Sequence, residues 1–114
     1  MADKTIFEKI IDGDIEGDIV HRDEQVVAFR DVNPQAPTHI LVVPRKVIDR
    51  IENMTAEDEA LVGHMVYVAT QIAQREGLGN GYRLVMNNGR GGGQTVFHIH
   101  LHLMGGRSFG WPPG

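Results

Sequence analysis

The sequence predicts an α+β domain, built from an antiparallel five-stranded sheet with one long and one short helix. The chain has 114 residues, 41% apolar and 23% charged, a balance typical of one compact domain with a modest core. Three strand-like segments precede one long amphipathic segment, and two more follow it. Grouped strands around a helix indicate α+β rather than alternating β and α units. We therefore expect a single domain over residues 1–114, with the helices on one side of the sheet.

The first element is a short helix in "TIFEKIIDGD". Thr5 followed three residues later by Glu8 is a capping box, in which each side chain accepts a hydrogen bond from a free amide of the first turn. An apolar stripe at helical spacing follows, and Gly13 is suited to end the helix.

The next three elements are strands. "DIVHRDEQVVAFRD" predicts two of them around a turn at Asp23 and Glu24, because apolar and β-branched residues flank two turn-forming positions. "THILVVP" predicts the third, which ends at Pro44 because proline cannot donate to a sheet ladder.

The long helix lies in "MTAEDEALVGHMVYVATQIAQREGLGNG". Thr55 is suited to cap it, and the acidic residues that follow are favourable at the positive end of a helix dipole. Gly77 marks its end. Two further strands, "YRLVMN" and "VFHIHLHLM", complete the predicted sheet.

The long helix carries two neighbouring apolar stripes. The first, expected to face the core, is Leu61, Met65, Val68 and Ile72. The second is Val62, Val66, Ala69 and Ala73. Because a second stripe needs cover, we expect a two-fold homodimer with this helix and the "YRLVMN" strand at the interface.

Composition excludes several classes of function. The formal charge of −4 argues against a general binder of duplex nucleic acid, which needs a basic face. The sequence has no cysteine, so disulfides, thiolate metal sites and a cysteine nucleophile are excluded. It also has no apolar run near the roughly 20 residues of a membrane span and no apolar signal core near its start. We therefore expect a cytoplasmic protein with neither nucleic acid nor membrane as a partner.

Three histidines at alternate positions, His98, His100 and His102, stand out in "FHIHLHL". Alternate residues of a strand share one face, so the three imidazoles should lie together. Three interpretations are open at this point. The face is simply polar, or it binds a metal with His39 as a further ligand, or it performs nucleophilic and acid–base catalysis.

The glycine-rich loop "NNGRGGGQT", from Asn87 to Thr95, favours the catalytic interpretation. Glycines let a backbone approach a ligand closely and turn its amides toward an anion. Gln94, Thr95 and Asn87 add neutral polar groups, whereas Arg90 is expected to be a charged loop residue exposed to solvent. The loop is a candidate phosphate cradle, with a flexible hairpin loop as the alternative.

Longer motifs resemble a known family. The run from His98 to Met104 follows the pattern His-φ-His-φ-His-φ-φ, where φ is apolar. "GGQTVFHIHLHLMGGR", the ending "WPPG" and the earlier "FRDVNPQAPTHILVVPRK" resemble the Hint branch of the histidine-triad (HIT) superfamily, the histidine triad nucleotide-binding proteins.

The resemblance implies a HIT-like fold and a homodimer with the sheet continued across both subunits. It implies binding of purine nucleotides (AMP or GMP) and hydrolysis of adenosine and guanosine 5′-phosphoramidates, with acyl-adenylates as further candidate substrates. No cofactor is implied. The alternative from a different class is a nucleotide-binding regulatory or scaffold protein with incidental hydrolase activity.

The resemblance also assigns roles to the histidines. His100 would attack phosphorus and form a nucleotidyl-histidine, with its other ring nitrogen donating to a fixed acceptor such as a backbone carbonyl. His102 would face the leaving group and phosphate, His98 would support the geometry, and His39 would extend the proton network.

The remaining implied residues bind the nucleotide. Asp31 would accept hydrogen bonds from the ribose hydroxyls. The implied phosphate contacts are Gly93, Gln94 and Thr95, with Asn87 beside them. The implied base-pocket positions are Ile6, Phe7, Ile10, Ile15, Phe29, Val32 and Leu41, for which ordinary core packing is the alternative.

Two departures from the family pattern matter. Some relatives carry a Cys-x-x-Cys pair where Thr5 and Glu8 stand, so we expect no structural zinc. Gly110 stands where animal relatives commonly have a histidine, which leaves the leaving-group preference open. Outside the motifs, His64 is expected in packing or an interface, and His21 on the surface.

Overall fold

The computed structural model describes residues 3–114. The helices are α1 (Ile6–Ile11) and α2 (Glu59–Arg75). The strands are β1 (Ile19–Arg22), β2 (Val26–Arg30), β3 (Thr38–Pro44), β4 (Tyr82–Val85) and β5 (Leu101–Gly105). All neighbouring strands are antiparallel, in the order β1-β2-β3-β5-β4. The predicted α+β class, with five strands, one long helix and one short helix, is confirmed.

The two helices lie on opposite faces of the sheet, so the prediction that they share one side is wrong. One set of alternate residues in β2 and β3 packs under α2: Val26, Ala28, Ile40 and Val42. The other set packs with Phe7 and Ile11 of α1: Val27, Phe29, Leu41 and Val43. Because both sets are apolar, both faces need cover, and the sheet is sandwiched between the helices.

The start of α1 is the predicted capping box. The Thr5 hydroxyl accepts from the Glu8 amide at 3.0 Å, and the Glu8 carboxylate accepts from the Thr5 amide at 2.9 Å. Gly13 follows the helix with a φ of +83°, a left-handed conformation that favours glycine. The cap thus holds a helix too short to be stable alone.

The long helix begins later than Thr55 predicts. Thr55 precedes a single 3₁₀ turn, Ala56–Asp58, and its amide donates to the Asp58 carboxylate at 2.9 Å. The α-helix proper starts at Glu59. Within residues 3–114 neither helix combines the length and the apolar character needed to cross a membrane.

The second stripe of α2 is only partly uncovered. Ala69 and Ala73 are buried in the chain's own core, whereas Val66 is 40% exposed and the neighbouring Tyr67 is 60% exposed. The expectation that the whole stripe needs a partner is therefore wrong for its two alanines. Their small side chains let α2 approach the sheet closely.

The last strand is shorter than predicted. It begins at Leu101, so His98 and His100 precede it. Ile99 donates its amide to the carbonyl of Ile48 rather than to β3, which ends at Pro44. The segment nevertheless stays extended enough to keep the alternation. Apolar members of the run face the core under α2: Ile99, Leu101 and Leu103.

Candidate active site

His100 has one ring nitrogen in a hydrogen bond, and within residues 3–114 the other has no hydrogen-bond partner. Its Nδ1 lies 2.8 Å from the carbonyl oxygen of His98. A carbonyl only accepts, so Nδ1 carries the hydrogen and Nε2 of the neutral ring keeps a lone pair. Burial lowers the pKa of His100 and favours that neutral ring, although the His98 carbonyl and Asp31 act in the opposite direction. The backbone acceptor expected from the sequence is confirmed.

His98 is fully buried and makes hydrogen bonds through both ring nitrogens. Nε2 lies 2.7 Å from the Pro44 carbonyl oxygen, and Nδ1 lies 2.8 Å from the hydroxyl of Thr5. The Pro44 carbonyl requires a hydrogen on Nε2, so Nδ1 accepts from the Thr5 hydroxyl. His98 thus connects the end of β3 to the start of α1.

His39 and His102 form a relay whose polarity is fixed by a backbone amide. The Gln35 amide donates to His39 Nδ1 at 3.0 Å, so the hydrogen of neutral His39 is on Nε2. His39 Nε2 lies 2.9 Å from His102 Nδ1 and therefore donates to it. In neutral His102 the hydrogen is then on Nε2, the other edge of the ring.

Both relay histidines are held neutral. Burial, reinforced by His100 and His39, lowers the pKa of His102 to about 4, against the opposing effect of Asp31. Burial also lowers the pKa of His39, again opposed by Asp31, whose carboxylate lies 3.5 Å from His39 Nε2. Burial lowers the pKa of all four site histidines, so near neutral pH they act as neutral donors and acceptors.

The same groups bear on the metal interpretation. Asp31, His39 and His102 each offer a ligand atom, and these atoms lie within 4.8 Å of one another. A metal, however, needs a lone pair on each imidazole. The Gln35 amide keeps the hydrogen of His39 on Nε2, the atom that faces the cluster. The hydrogen-bond polarity therefore favours a hydrogen-bonded histidine pair over a metal centre at this position.

The glycine-rich loop is organised around the Gln94 amide. Gln94 is buried, and its side chain accepts from the Gly89 amide at 2.8 Å and donates to the Asp49 and Val96 carbonyls at 2.7 and 3.0 Å. The polar atoms of this side chain are thus occupied by the loop and by the Asp49 and Val96 carbonyls next to it, and the phosphate contact implied for Gln94 stays a prediction. Gln94 determines the shape of the loop.

Two other loop residues lie at the surface, although the Gly93 amide donates to the Arg90 carbonyl at 3.0 Å. Gly93 and Thr95 are exposed and line a depression with Arg90 and Phe97. Gly93 has a φ of +93°, and a Cβ added there would lie 3.7 Å from Asn87 Nδ2, so the Asn87 amide lies against the loop. Val96, next along the chain, packs in the α1-side cluster and ties the loop to the face that carries the histidines.

The base-pocket positions separate into two groups. Buried members pack together on the α1 side of the sheet: Phe7, Phe29 and Leu41, with the half-buried Ile10. Exposed members are Ile6, Ile15 and Val32, the last being 99% exposed. Asp31 and Val32 line a shallow depression with Asp18 and Arg30. The Phe7 ring meets His100 edge-on, with centroids 4.8 Å apart. The buried group is thus both core and wall of the histidine site.

Sequence reasoning missed three groups that orient the imidazoles. They are the Gln35 amide, the Pro44 carbonyl and the Thr5 hydroxyl. The first two are backbone groups, an amide that every residue type except proline supplies and a carbonyl that every residue type supplies, so no sequence signal marks them. Thr5 did carry a signal, but its capping box indicated only a helix start.

The two remaining histidines, His21 and His64, both form hydrogen bonds with the carboxylate of Asp23. His21 Nε2 and His64 Nε2 each lie 2.8 Å from Asp23 Oδ2. Burial alone would raise the pKa of Asp23, but these bonds and the Val26 and Gln25 amides lower it well below its usual range. His64 thus joins α2 to the β1–β2 turn, and His21 is a partner in that contact rather than a free surface residue.

The chain as a whole is similar to known proteins. The model of the HIT domain matches residues 12–109. A crystal structure of a HIT family hydrolase from Legionella pneumophila superposes with a TM-score of 0.95 at 48% identity, covering 97% of this chain and 100% of that one. The chain belongs to the HIT domain family.

Two curated relatives are similar over almost their whole length. An uncharacterized HIT-like protein of Synechococcus elongatus is 54% identical over 114 residues, 100% of both chains. The purine nucleoside phosphoramidase of Escherichia coli K12 is 53% identical over 111 residues, 96% of this chain and 93% of that protein. The recognition of the family from its histidine motif is confirmed.

Proposed function

We propose that this protein is a purine nucleoside phosphoramidase, which hydrolyses adenosine and guanosine 5′-phosphoramidates to the mononucleotide and an amine. The observation that carries the proposal is the free Nε2 of His100, a neutral imidazole whose other nitrogen is fixed by a carbonyl 2.8 Å away. Neutral imidazole is an effective nucleophile. The name of the Escherichia coli relative supports the substrate class.

The reaction has two displacements. The lone pair of His100 Nε2 forms a bond to phosphorus, and the P–N bond breaks with its electron pair going to the amine nitrogen, which arrives protonated or takes a proton from water. Water then attacks the phosphorus of the nucleotidyl-histidine, loses a proton to solvent, and releases the mononucleotide and neutral His100. In both steps the His102 Nε2–H and the exposed hydroxyl of Thr95 would stabilise charge on the phosphoryl oxygens.

The nucleoside would occupy the depression beside Asp31. The Asp31 carboxylate is held by the Asn33 amide at 2.9 Å and is partly exposed, so it can accept from ribose hydroxyls. The exposed apolar side chains of Ile15 and Val32 supply surface for a base. Purines should bind better than pyrimidines, because the larger ring buries more apolar area.

We also propose that two copies form a two-fold homodimer. β4 is an edge strand, and an uncovered edge offers free amides and carbonyls to a second chain. Val66 and Tyr67 on α2 and Tyr82 on β4 leave apolar surface exposed. Light scattering at micromolar concentration should give twice the chain mass, and a monomer there would contradict this part of the proposal.

Mapping the covalent intermediate tests the function. Rapid quenching without acid, followed by peptide mass spectrometry, should locate a nucleotidyl group on His100. His100→Ala should lose several orders of magnitude in turnover and still bind AMP, whereas His21→Gln, a change away from the site, should behave as wild type. A chiral substrate should react with net retention at phosphorus. Inversion, or an adduct on another residue, would contradict the mechanism, and AMP binding without turnover would favour a regulatory protein.

A further inference from the structure

Thr5 makes two hydrogen bonds whose directions are determined by its neighbours. Its hydroxyl oxygen accepts from the Glu8 amide at 3.0 Å, which caps α1. The same oxygen lies 2.8 Å from Nδ1 of His98. Because the Pro44 carbonyl keeps the hydrogen of the neutral His98 ring on Nε2, Nδ1 is an acceptor and the Thr5 hydroxyl donates to it. One side chain thus both starts the helix and donates to a buried histidine.

His98 in turn holds the nucleophile. Its ring is clamped between the Pro44 carbonyl at 2.7 Å and the Thr5 hydroxyl, and its own carbonyl accepts from His100 Nδ1 at 2.8 Å. Any shift of the ring moves the attached backbone and that carbonyl. The chain of contacts therefore runs from the cap of α1, through His98, to the nitrogen that sets the tautomer of His100.

We infer that Thr5 is a positioning residue for the nucleophile: by donating to His98 Nδ1, it keeps the His98 ring neutral and fixed, and so aims His100 Nε2 at the substrate. The assignment rests on the proposed role of His100. This positioning role differs from helix capping, because capping requires only the hydroxyl oxygen of Thr5 whereas positioning His98 requires the hydroxyl hydrogen.

The surroundings of His98 explain why the donor matters. The Pro44 carbonyl already demands a hydrogen on Nε2, so an acceptor in place of Thr5 would require a second hydrogen on Nδ1 and a charged ring. The charged or titratable groups that act on His98 are Glu8 and His100. Burial lowers the pKa of His98, so a charged ring is unfavourable here. A substituent that only accepts would therefore disturb the clamp.

α1 also forms one wall of the site, through the ring of Phe7. The Phe7 ring lies 4.8 Å from the His100 ring and 5.9 Å from the His98 ring, centroid to centroid. Thr5 is two residues earlier, so its bond to His98 joins the helix to the residue next to the nucleophile. Displacement of the helix and displacement of the nucleophile are thereby coupled.

Two variants of nearly equal shape separate the donor from the cap. Thr5→Asp keeps an oxygen that caps α1 but cannot donate. Thr5→Asn also caps and has an amide that can donate to His98. Thr5→Ser retains both functions of the hydroxyl. All three are measured in the full chain, with adenosine 5′-phosphoramidate as substrate and with ¹⁵N NMR of the imidazoles to report tautomer and charge.

The expected result is specific to the donor. Thr5→Asp should show His98 protonated on both nitrogens at a pH where the wild-type ring is neutral, and kcat should fall by about 10- to 100-fold, the scale of a small misplacement of reacting atoms. KM should change much less. Thr5→Ser and Thr5→Asn should retain the neutral His98 spectrum and most of kcat.

Three results would overturn the inference. The first is wild-type kcat in Thr5→Asp. The second is a loss of kcat in Thr5→Asp with an unchanged His98 spectrum, and the third is an equal loss of kcat in Thr5→Asn; either of these would make the role of Thr5 structural. If the wild type hydrolyses no phosphoramidate, the proposed function fails separately. In that case the part of the inference that concerns His100 as nucleophile fails as well. The NMR spectra still decide whether Thr5 controls the protonation of His98.

Discussion

Replacing Asp31 by asparagine tests both the nucleoside site and the electrostatics of the histidines. In the proposed complex the Asp31 carboxylate accepts from ribose hydroxyls, and a hydrogen bond to a charged group contributes about 1.5–3 kcal/mol. At about 1.4 kcal/mol per tenfold, wild type should prefer adenosine over 2′-deoxyadenosine 5′-phosphoramidate by roughly 10- to 100-fold in kcat/KM. Asp31→Asn should lose most of that preference, because its amide oxygen accepts as a neutral group.

The second readout is the pH dependence. Asp31 raises the pKa values of His39, His100 and His102, so removing its charge should lower them further. The reaction needs neutral imidazoles, and activity is lost as the pH falls through their pKa values. The acid limb of kcat/KM should therefore move to lower pH in Asp31→Asn.

Asp18→Asn is the matched control for this experiment. Asp18 lines the same depression and loses the same charge, but it is largely exposed and pairs with Arg30 at 3.6 Å. This variant should keep both the ribose preference and the pH profile. Equal turnover of the ribose and deoxyribose substrates by wild type would remove Asp31 from its role.

Further expectations follow from the same contacts. In wild type the acid limb of kcat/KM should have its midpoint below the ordinary histidine pKa of 6.5, because burial lowers the pKa values of His100 and His102. The measurement needs a substrate that does not titrate in this range, and a midpoint above 6.5 would contradict the expectation. His102→Ala should lower kcat by about 10²–10³-fold, the scale of one lost oxyanion donor. Activity should survive EDTA and extensive dialysis, and a loss that zinc restores would return us to a metal site. Gly105→Ala should lower the free energy of unfolding by about 1–3 kcal/mol in urea titration, because its Cβ would lie 2.7 Å from Leu78 Cδ1; unchanged stability would show that Leu78 moves aside.

The features predicted correctly from the sequence are those encoded over a few neighbouring residues. The capping box of Thr5 and Glu8 is such a feature, because both partners lie in one helical turn. The alternation of the histidine run is another, since side chains of an extended chain alternate whether or not it pairs in a sheet. By contrast, the start of β5 at Leu101 depends on pairing with β3, which ends at Pro44 and is distant in sequence.

The features that were not predicted depend on contacts between distant segments. β2 and β3 are apolar at consecutive positions, so the alternation that tells one face from the other is lost, and the side on which α1 packs could not be read. Gln94 looks like a polar loop residue in sequence, and only the fold shows it buried. The tautomers of His39 and His102 depend on a backbone amide, which the identity of Gln35 does not reveal.

The hydrogen bonds of the His39–His102 pair all point the same way, and the first donor of the chain is the Gln35 backbone amide. His102 could hand its Nε2 hydrogen to a departing amine only by drawing another from His39, and His39 only by drawing one from the Gln35 amide. A peptide amide does not release its hydrogen, so the chain orients a proton without being able to replace it. Under the proposed reaction the amine must bring its own proton or take one from water. Selection among leaving groups then depends on how basic the bridging nitrogen is, and less on the shape of what it carries.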